Sequence, residues 1–269
     1  MEEPWRQVLG KLAMDLGLKA GHTDYTKFIV LGRSRTGSNF LRGLLSSHGQ
    51  IIVFGEIFKN NQSIEWGTDG YPQKGKDLKL MQSDPPRFLD EIVFKKFPLE
   101  ITAVGFKLFY YHAQMDDLKP IWPYLQSRKD IRIIHLKRRN ILKTHVSRER
   151  AARTDKWADV TGSSEAEQML TLDYDRLLQD FVQTRSWEEE YDRFFADHPK
   201  IEVVYETLTR DNAPEMRRIQ EFLGVECRDL TPETFKQSKR PLSKSISNYF
   251  ELKERFDGSP WEEFFEEGA

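Results

Sequence analysis

The stretch FIVLGRSRTGSNFLRGLLSSHG, residues 28–49, decides the fold class. An apolar run ends at Gly32, two arginines and Gly37 follow, and a helical pattern then begins. A strand, a tight glycine-containing turn and the start of a helix direct several backbone N–H groups at one point, and the helix dipole adds partial positive charge there. The stretch therefore predicts a P-loop-like strand–loop–helix that binds a phosphate-type anion, although an ordinary strand–helix turn has a similar pattern.

The loop differs from the form of this motif that binds nucleoside triphosphates. That form, G-x-x-x-x-G-K-[ST], has a lysine and a magnesium-binding hydroxyl directly after the second glycine. Gly32 and Gly37 have the right separation, but Ser38 and Asn39 follow Gly37, and the cation, Arg35, precedes it. A triphosphate would lack its usual neutralising partners here. The loop favours a smaller anion, held by a guanidinium and by backbone N–H groups.

Apolar runs and helical patterns alternate along the rest of the chain. Near-continuous apolar runs suit strands that are buried on both faces of a parallel sheet. We therefore expect an α/β fold with a central parallel sheet flanked by helices. The predicted strands are 27–32, 50–54, 101–108, 131–137 and 201–205, and the predicted helices are 38–47, 86–97, 140–153, 175–197 and 212–223.

The length of the chain, 269 residues, suits a single domain spanning residues 1–269. We expect the core of this domain at about 27–250. Apolar positions spaced as on one helix face predict an N-terminal helix at 4–20. The C-terminal segment 236–269 is polar and then aromatic, and it is expected to fold back over the sheet.

Composition limits the classes of partner. The formal net charge of −2 argues against nucleic-acid binding, which needs a basic field. The single cysteine, Cys227, cannot form an internal disulfide, which fits a reducing compartment. The sequence contains no apolar run long enough for a transmembrane segment and no signal-peptide core. We expect a cytoplasmic protein with no nucleic-acid partner and no transmembrane segment, and the sequence does not indicate its oligomeric state.

The anion loop resembles that of a known enzyme family. RTGSNFL at 35–41 fits the pattern [KR]-[ST]-G-[ST]-x-[FWL], which is the 5′-phosphosulfate loop of sulfotransferases that use PAPS (3′-phosphoadenylyl sulfate). The resemblance implies a P-loop-like sulfotransferase domain, closer to the bacterial and carbohydrate-modifying branches than to the cytosolic branch. The loop residues that it implies as donor contacts are Arg33, Arg35, Thr36, Gly37, Ser38 and Asn39.

A second element, IRIIHLKRRNILKTHVS at 131–147, is similar to the strand and helix that hold the donor's 3′-phosphate in this family. The family has an arginine at the end of the strand and a serine eight residues later, and Arg139 and Ser147 have that separation. Eight residues return to roughly the same side of a helix, so the two side chains can converge. Arg138 competes with Arg139 for this role. Read alone, the element is also typical of a basic, solvated helix face.

Two further passages agree with the resemblance. VVYETL at 203–208, followed by RIQEFLGV, is similar to a strand–helix passage in which Tyr205 would contact the nucleotide; a tyrosine packed in the core is the alternative. KQSKRPLSKSISNY at 236–249 resembles a late basic loop that closes over the 3′-phosphate. Lys239 and Arg240 are its candidate contacts, unless they are plain surface charge.

The catalytic groups follow the resemblance only in part. Lys107, in AVGFKLFYYH, lies where cytosolic members carry a lysine that assists the leaving phosphate. The cytosolic branch has a histidine base two residues later, and this chain has Phe109 there. Our first choice of base is Glu56, because the bacterial and sugar-modifying branches use a glutamate soon after the first helix. A structural glutamate is the alternative reading of Glu56, and His112 is the second choice of base.

The resulting hypothesis is a PAPS-dependent sulfotransferase that needs no metal. An acceptor hydroxyl, or less favourably an amine, attacks sulfur; Arg35 and Lys107 stabilise the charge on the leaving oxygen, and Glu56 takes the proton. Two rival hypotheses are a P-loop kinase or phosphotransferase that uses ATP–Mg and a non-catalytic nucleotide-binding protein.

We expect the acceptor to be a small molecule or a glycan, and the sequence does not identify it further. Segments 59–85 and 154–170 predict long loops, the first of them a surface insertion, and loops above an α/β sheet often shape a substrate site. Trp66, Tyr71 and Trp157 in these segments offer aromatic surfaces for a sugar, a phenol or a lipid-linked glycan, unless they belong to the core.

Overall fold

The central feature of the molecule is a five-stranded sheet in which every neighbouring pair of strands is parallel. The computed structural model describes residues 20–154, 169–231 and 240–266. Strand order in the sheet is β3-β5-β2-β6-β7, and β1 pairs with β4 in a separate antiparallel ribbon. The strands are β1 Gly21–His22, β2 Thr26–Gly32, β3 Ile51–Phe54, β4 Phe97–Pro98, β5 Ala103–Phe109, β6 Ile131–Lys137 and β7 Lys200–Val204. The predicted α/β fold with a central parallel sheet is confirmed.

Helices connect these strands. In chain order they are α1 Ser38–Ser46, α2 Gly75–Ser83, α3 Pro85–Phe88, α4 Ile121–Ser127, α5 Ile141–Thr154, α6 Tyr174–Phe194, α7 Tyr205–Arg210, α8 Asn212–Leu223 and α9 Tyr249–Arg255. A π-helical turn, Leu89–Val93, follows α3, and Leu242–Lys244 and Glu262–Phe265 form 3₁₀ turns. The predicted bounds of β6 and α8 match the structure, and α8 ends at Gly224, whose φ of 72° is the left-handed conformation that glycine adopts readily.

The prediction for segment 59–85 was wrong. Instead of a surface insertion, it contains α2 and contributes Ile64, Trp66 and Met81 to the core. Trp66 packs edge-on against Phe54 of β3, with ring centroids 4.9 Å apart. The polar residues that dominate the segment obscured the few apolar side chains that anchor it.

Three other local predictions need correction. The predicted helix 86–97 is divided into α3 and a π-helical turn, and its last residue begins β4. Helices α4, α7 and α9 were not predicted. The strand predicted at 201–205 ends one residue earlier, because Tyr205 begins α7. Each correction lies at the end of an element or in a short helix, where local periodicity carries little information.

Both faces of the sheet are covered by apolar side chains, as the continuous apolar runs predicted. Successive residues of a strand point to opposite faces. Ile29 and Leu31 therefore join one core cluster, with Phe54 and Phe106, whereas Phe28 and Val30 join a second cluster that contains Leu41, Leu44 and Leu45 of α1. This division fixes α1 against one face of the sheet, directly after the anion loop.

The C-terminal segment folds back, but onto helices and not onto the sheet. Within residues 240–266, Phe256, Phe264 and Phe265 pack with Leu142 of α5 and Phe181 of α6. The predicted N-terminal helix, as far as residue 19, and residues 155–168 of the loop predicted at 154–170 lie outside the described residues.

All five parallel strands end at the same edge of the sheet, and each leads into a candidate site residue. In open parallel sheets ligands bind outside the carboxyl ends of the strands. The residues at this edge are Glu56 after β3, Lys107 near the end of β5, Arg33 after β2, Arg138 after β6 and Tyr205 after β7.

Candidate active site

The anion loop, residues 33–39, contains two left-handed backbone conformations. Gly37 has a φ of 91° and caps α1, and Arg35 has a φ of 68°. Glycine adopts this conformation at no steric cost, whereas a side chain makes it unfavourable. The hydroxyl of Thr36 donates to the carbonyl of Arg33 at 2.7 Å and closes the turn. Turns of this kind direct successive N–H groups inward and form anion-binding concavities.

Tyr205 packs directly on the loop. A Cβ placed on Gly37 would lie 2.1 Å from Cδ2 of the Tyr205 ring, so the ring occupies the space that any other residue would fill. Burial raises the pKa of the Tyr205 hydroxyl. Glycine is therefore needed at position 37 for two independent reasons, its backbone conformation and the ring against it.

Arg138 and Arg139 have different environments. The Arg138 guanidinium lies over the Tyr205 ring, 4.7 Å from its centroid, and donates to the carbonyl of Arg35 at 3.0 Å. Its Nε is buried and has no hydrogen-bond partner within the described ranges. Burial lowers the pKa of the Arg138 guanidinium. Arg139 is exposed, and its backbone N–H donates to Glu206 at 3.0 Å. Arg138 thus contacts the loop, and the Arg139 side chain is left in solvent.

Arg35 and Ser147, which the resemblance implies for opposite ends of the donor, lie side by side. Nε of Arg35 donates to Oγ of Ser147 at 2.9 Å. Burial, and then the neighbouring charge of Arg138, lower the pKa of Arg35. The two predicted phosphate sites therefore meet in one continuous cationic region.

Arg33 points away from the loop towards α6. Its Nη2 lies 2.5 Å from Oδ1 of Asp180, and its Nη1 donates to Thr184. Asp180 also accepts from Arg148 at 2.5 Å and contacts Nδ1 of His145 at 3.0 Å. Burial acts to raise the pKa of Asp180, but these partners outweigh it and hold that pKa well below its usual range. Arg33 therefore anchors the start of the loop to α6, and its donor contact stays a prediction.

Lys107 joins the anion loop to Glu56. Its Nζ donates to Oδ1 of Asn39 at 2.6 Å and lies 3.0 Å from Oε1 of Glu56. The side chain is 4% exposed, and burial lowers its pKa while Glu56 opposes that shift. Because Asn39 belongs to α1 and Glu56 follows β3, one ammonium group fixes the relative positions of two separate elements.

Glu56 and His112 face each other. Oε2 of Glu56 lies 3.7 Å from Nε2 of His112, and the Glu56 side chain is 21% exposed. The apolar neighbours Phe54, Ile57 and Phe58 are fully buried, so they fix the backbone of Glu56 in the core. Burial lowers the pKa of His112 to about 4.

Tyr111 is a site residue that the sequence did not single out. Its hydroxyl accepts a hydrogen bond from the backbone N–H of Ser34 at 3.2 Å, and its ring meets that of His112 edge-on at 5.4 Å. The Tyr111 side chain is 38% exposed, whereas Trp66 belongs to the core cluster and the partly buried Tyr71 packs against that cluster. Its place directly after β5 was the signal that it lies at the active edge of the sheet.

The structure says little about the remaining residues that the sequence predicted for the site. Ser38 is buried at the first position of α1, and Arg240 is exposed just before a 3₁₀ turn. Lys239 and Trp157 lie outside the described residues. Residues 20–154, 169–231 and 240–266 contain no cluster of three or more His, Cys, Asp or Glu side chains suited to a metal ion. No helix in these ranges has the length and apolarity to cross a membrane.

Comparison with known proteins assigns the family. Residues 28–229 match the family model described as "Sulfotransferase family", which covers most of the chain. The chain belongs to the sulfotransferase family. This sulfotransferase is similar to Nodulation protein H of Rhizobium meliloti (strain 1021), at 27% identity over 252 residues, 89% of this chain and 94% of that protein. Nodulation protein H of Rhizobium tropici is 25% identical over 248 residues, 89% of this chain and 92% of that protein.

A solved structure of a sulfotransferase from Alicyclobacillus acidocaldarius also aligns with the chain. It has a TM-score of 0.47 and 15% identity, and the alignment covers 85% of this sulfotransferase and 88% of that chain. Membership of the family supports sulfuryl transfer as the reaction class.

Proposed function

We propose that this sulfotransferase transfers the sulfuryl group of PAPS to a hydroxyl, or less favourably an amine, of a carbohydrate or small-molecule acceptor. The observation that carries the proposal is the position of Lys107 between Asn39 of the anion loop and Glu56. A donor-binding element and a candidate base thereby meet at one ammonium group, as a transfer between two substrates requires. The single cysteine of the chain agrees with a cytoplasmic location, which is part of the proposal.

The residues at the site fit PAPS better than a nucleoside triphosphate. The loop lacks the lysine and the magnesium-binding hydroxyl of triphosphate sites, and instead has Arg35 in a turn whose next residues lead into the N-terminus of α1. The buried Nε of Arg138 has no hydrogen-bond partner in the described part of the chain, although it lies 3.8 Å from Oε1 of Glu206. The residues that would hold the 5′ end are Arg35, Thr36, Gly37, Ser38 and Asn39, with the predicted contact Arg33 instead anchoring the loop through Asp180. Those for the 3′-phosphate and adenosine are Arg139, Ser147, Tyr205, Lys239 and Arg240.

PAPS supplies a sulfuryl group whose sulfur–oxygen bond to the 5′-phosphate breaks as the acceptor oxygen bonds to sulfur, releasing PAP (adenosine 3′,5′-bisphosphate). Lys107 and Arg35 stabilise the negative charge that grows on the leaving phosphate oxygen. Glu56 accepts the proton that the acceptor hydroxyl loses. The loss of one such charge-stabilising donor costs on the order of 3 kcal/mol of transition-state stabilisation.

Ligand-dependent thermal stability tests the donor. The melting temperature is measured with PAP, with ATP–Mg and without ligand, because a ligand that binds only the folded state raises it. We expect micromolar PAP to stabilise the protein without metal. Stabilisation by ATP–Mg and not by PAP would favour the kinase hypothesis and contradict the proposal.

A transfer assay with labelled PAPS and a panel of hydroxylated acceptors tests the reaction. The variant Glu56→Gln keeps the shape of the side chain but removes the base, so we expect transfer to fall at least about 100-fold while PAP still stabilises the protein. A protein that binds PAP but transfers label to no acceptor in the panel would fit the non-catalytic alternative.

A further inference from the structure

We infer that His112 is a positioning residue for Glu56, whose ring presents an Nε2–H group to the carboxylate and holds it towards the acceptor. The inference rests on the proposed role of Glu56 as the base, and it assigns to His112 a different role from the one that the sequence suggested. It depends on three features of the ring: its tautomer, its distance from Glu56 and the groups that hold it.

The tautomer follows from a backbone hydrogen bond. Nδ1 of His112 lies 3.2 Å from the backbone N–H of Phe109, within the hydrogen-bond range. A backbone N–H can only donate, so Nδ1 must carry a lone pair. In a neutral imidazole the other nitrogen then carries the proton. Burial keeps the ring neutral at physiological pH by lowering its pKa to about 4. Nε2 is therefore a donor.

The donor faces a carboxylate that a second donor already holds. Nε2 lies 3.7 Å from Oε2 of Glu56, and Nζ of Lys107 lies 3.0 Å from Oε1. Each oxygen thus faces its own donor, one neutral and one cationic. The gap to His112 exceeds a hydrogen bond by a few tenths of an ångström, and such contacts often tighten when a substrate binds.

The surroundings prevent the ring from acting as the base in this arrangement. The lone pair of Nδ1 is used by Phe109, and Nε2 has no lone pair to offer because it carries the proton. The ring is 4.8 Å from that of Phe109, and Nε1 of Trp122 donates to the carbonyl of His112 at 3.1 Å. A rotation that freed Nδ1 would break the bond to Phe109. The charged groups near the ring are Glu56, Lys107 and Lys59.

Two substitutions of His112 test the roles of its two ring nitrogens separately. In His112→Asn the amide oxygen can replace Nδ1 as the acceptor for Phe109, but no donor reaches the position of Nε2. In His112→Gln the longer amide can place a donor near Nε2. We expect kcat to fall by about 10- to 100-fold in the asparagine variant, as when a catalytic group loses its orientation, and by less than about 5-fold in the glutamine variant. KM for PAPS should not change, because His112 does not contact the donor loop.

Two measurements test the inference, the pH–rate profile and the kcat of each variant. The acidic limb of the pH–rate profile should persist in both variants, because His112 is not the base. If both variants are as inactive as Glu56→Gln and the limb disappears, His112 is the base and the inference is wrong. Wild-type kcat in His112→Asn would also overturn it.

Stabilisation by PAP shows that each variant is folded and keeps its donor site. If PAP fails to stabilise the wild-type protein, the proposed function fails. If PAP stabilises all the variants and the asparagine variant keeps wild-type activity, only the role of His112 fails.

Discussion

The backbone of Gly37 and the ring of Tyr205 are in direct contact, so the anion loop and the start of α7 form one packed unit. This contact makes Gly37→Ala a sharp test. The substitution places a methyl group into the ring and forces alanine into a left-handed conformation, which alone costs about 1–2 kcal/mol. We expect a lower melting temperature and a loss of stabilisation by PAP.

Controls for this substitution exist in the same chain. Gly75 begins α2, and a Cβ there would meet nothing within 4 Å, so Gly75→Ala should not lower stability and should leave PAP binding unchanged. In the double variant Gly37→Ala/Tyr205→Ala the clash is removed but the backbone strain remains. A loss of unfolding free energy in the double variant that is smaller than the sum of the two single-variant losses would support the contact. A loss equal to that sum would contradict it.

Substitution of Arg138 should lower the stability of the ligand-free protein, whereas substitution of Arg139 should lower its affinity for PAP. Arg138→Lys loses both the stacking on Tyr205 and the planar group that reaches the Arg35 carbonyl, so the ligand-free protein should lose about 1–2 kcal/mol of unfolding free energy. Arg139→Ala removes an exposed side chain and should leave that free energy within about 0.5 kcal/mol. Calorimetric titration with PAP should instead show affinity at least about 10-fold weaker, if Arg139 binds the 3′-phosphate. Equal effects of the two variants on ligand-free stability would contradict this division.

Asp180 should be essential for stability because it neutralises buried cations. Asp180→Asn leaves Arg33 and Arg148 without their carboxylate in a largely buried site, which costs about 3–5 kcal/mol. The matched control is Glu189→Gln on the same helix, whose pair with Arg193 is exposed and contributes little. Urea denaturation monitored by fluorescence measures both. A midpoint for Asp180→Asn equal to that of the control would show that the ion pairs are dispensable.

His112 should make the stability of the protein depend on pH in the weakly acidic range. Its pKa falls from 6.5 in the unfolded chain to about 4 in the fold, so the unfolded state binds the proton first. The stabilisation is fully present above pH 6.5 and is lost as the pH falls to 4, by roughly 3 kcal/mol in total. The difference in unfolding free energy between the wild type and His112→Asn should shrink by that amount over this range. A constant difference would show that His112 does not titrate abnormally.

The sequence predicted those parts of the fold in which local pattern and tertiary environment agree. Strands β2 and β6 are buried on both faces, so their apolar runs mark them almost to the residue. The tight turn at Gly37 could also be predicted, because its backbone conformation is one that few residues other than glycine tolerate. Helix α2 was missed, since only a few apolar side chains among many polar ones attach it to the core.

The candidate site could be read as a list of residues but not as a set of contacts. A spacing of eight residues favoured Arg139 over Arg138. Spacing does not tell where a side chain points, and in the structure Arg138 packs on Tyr205. The partner of Arg33 lies 147 residues further along the chain. The link from Lys107 to Asn39 likewise joins two elements that the sequence separates by 68 residues.

The anion loop is encoded near the start of the described chain, but the side chains that hold it come much later: Arg138, Asp180 and Tyr205. A nascent polypeptide that has left the ribosome only as far as β5 carries the whole motif and none of these supports. If the loop binds the proposed donor, binding therefore has to await synthesis of α7, and fragments that end earlier should be unable to retain PAP, however well their strands are formed.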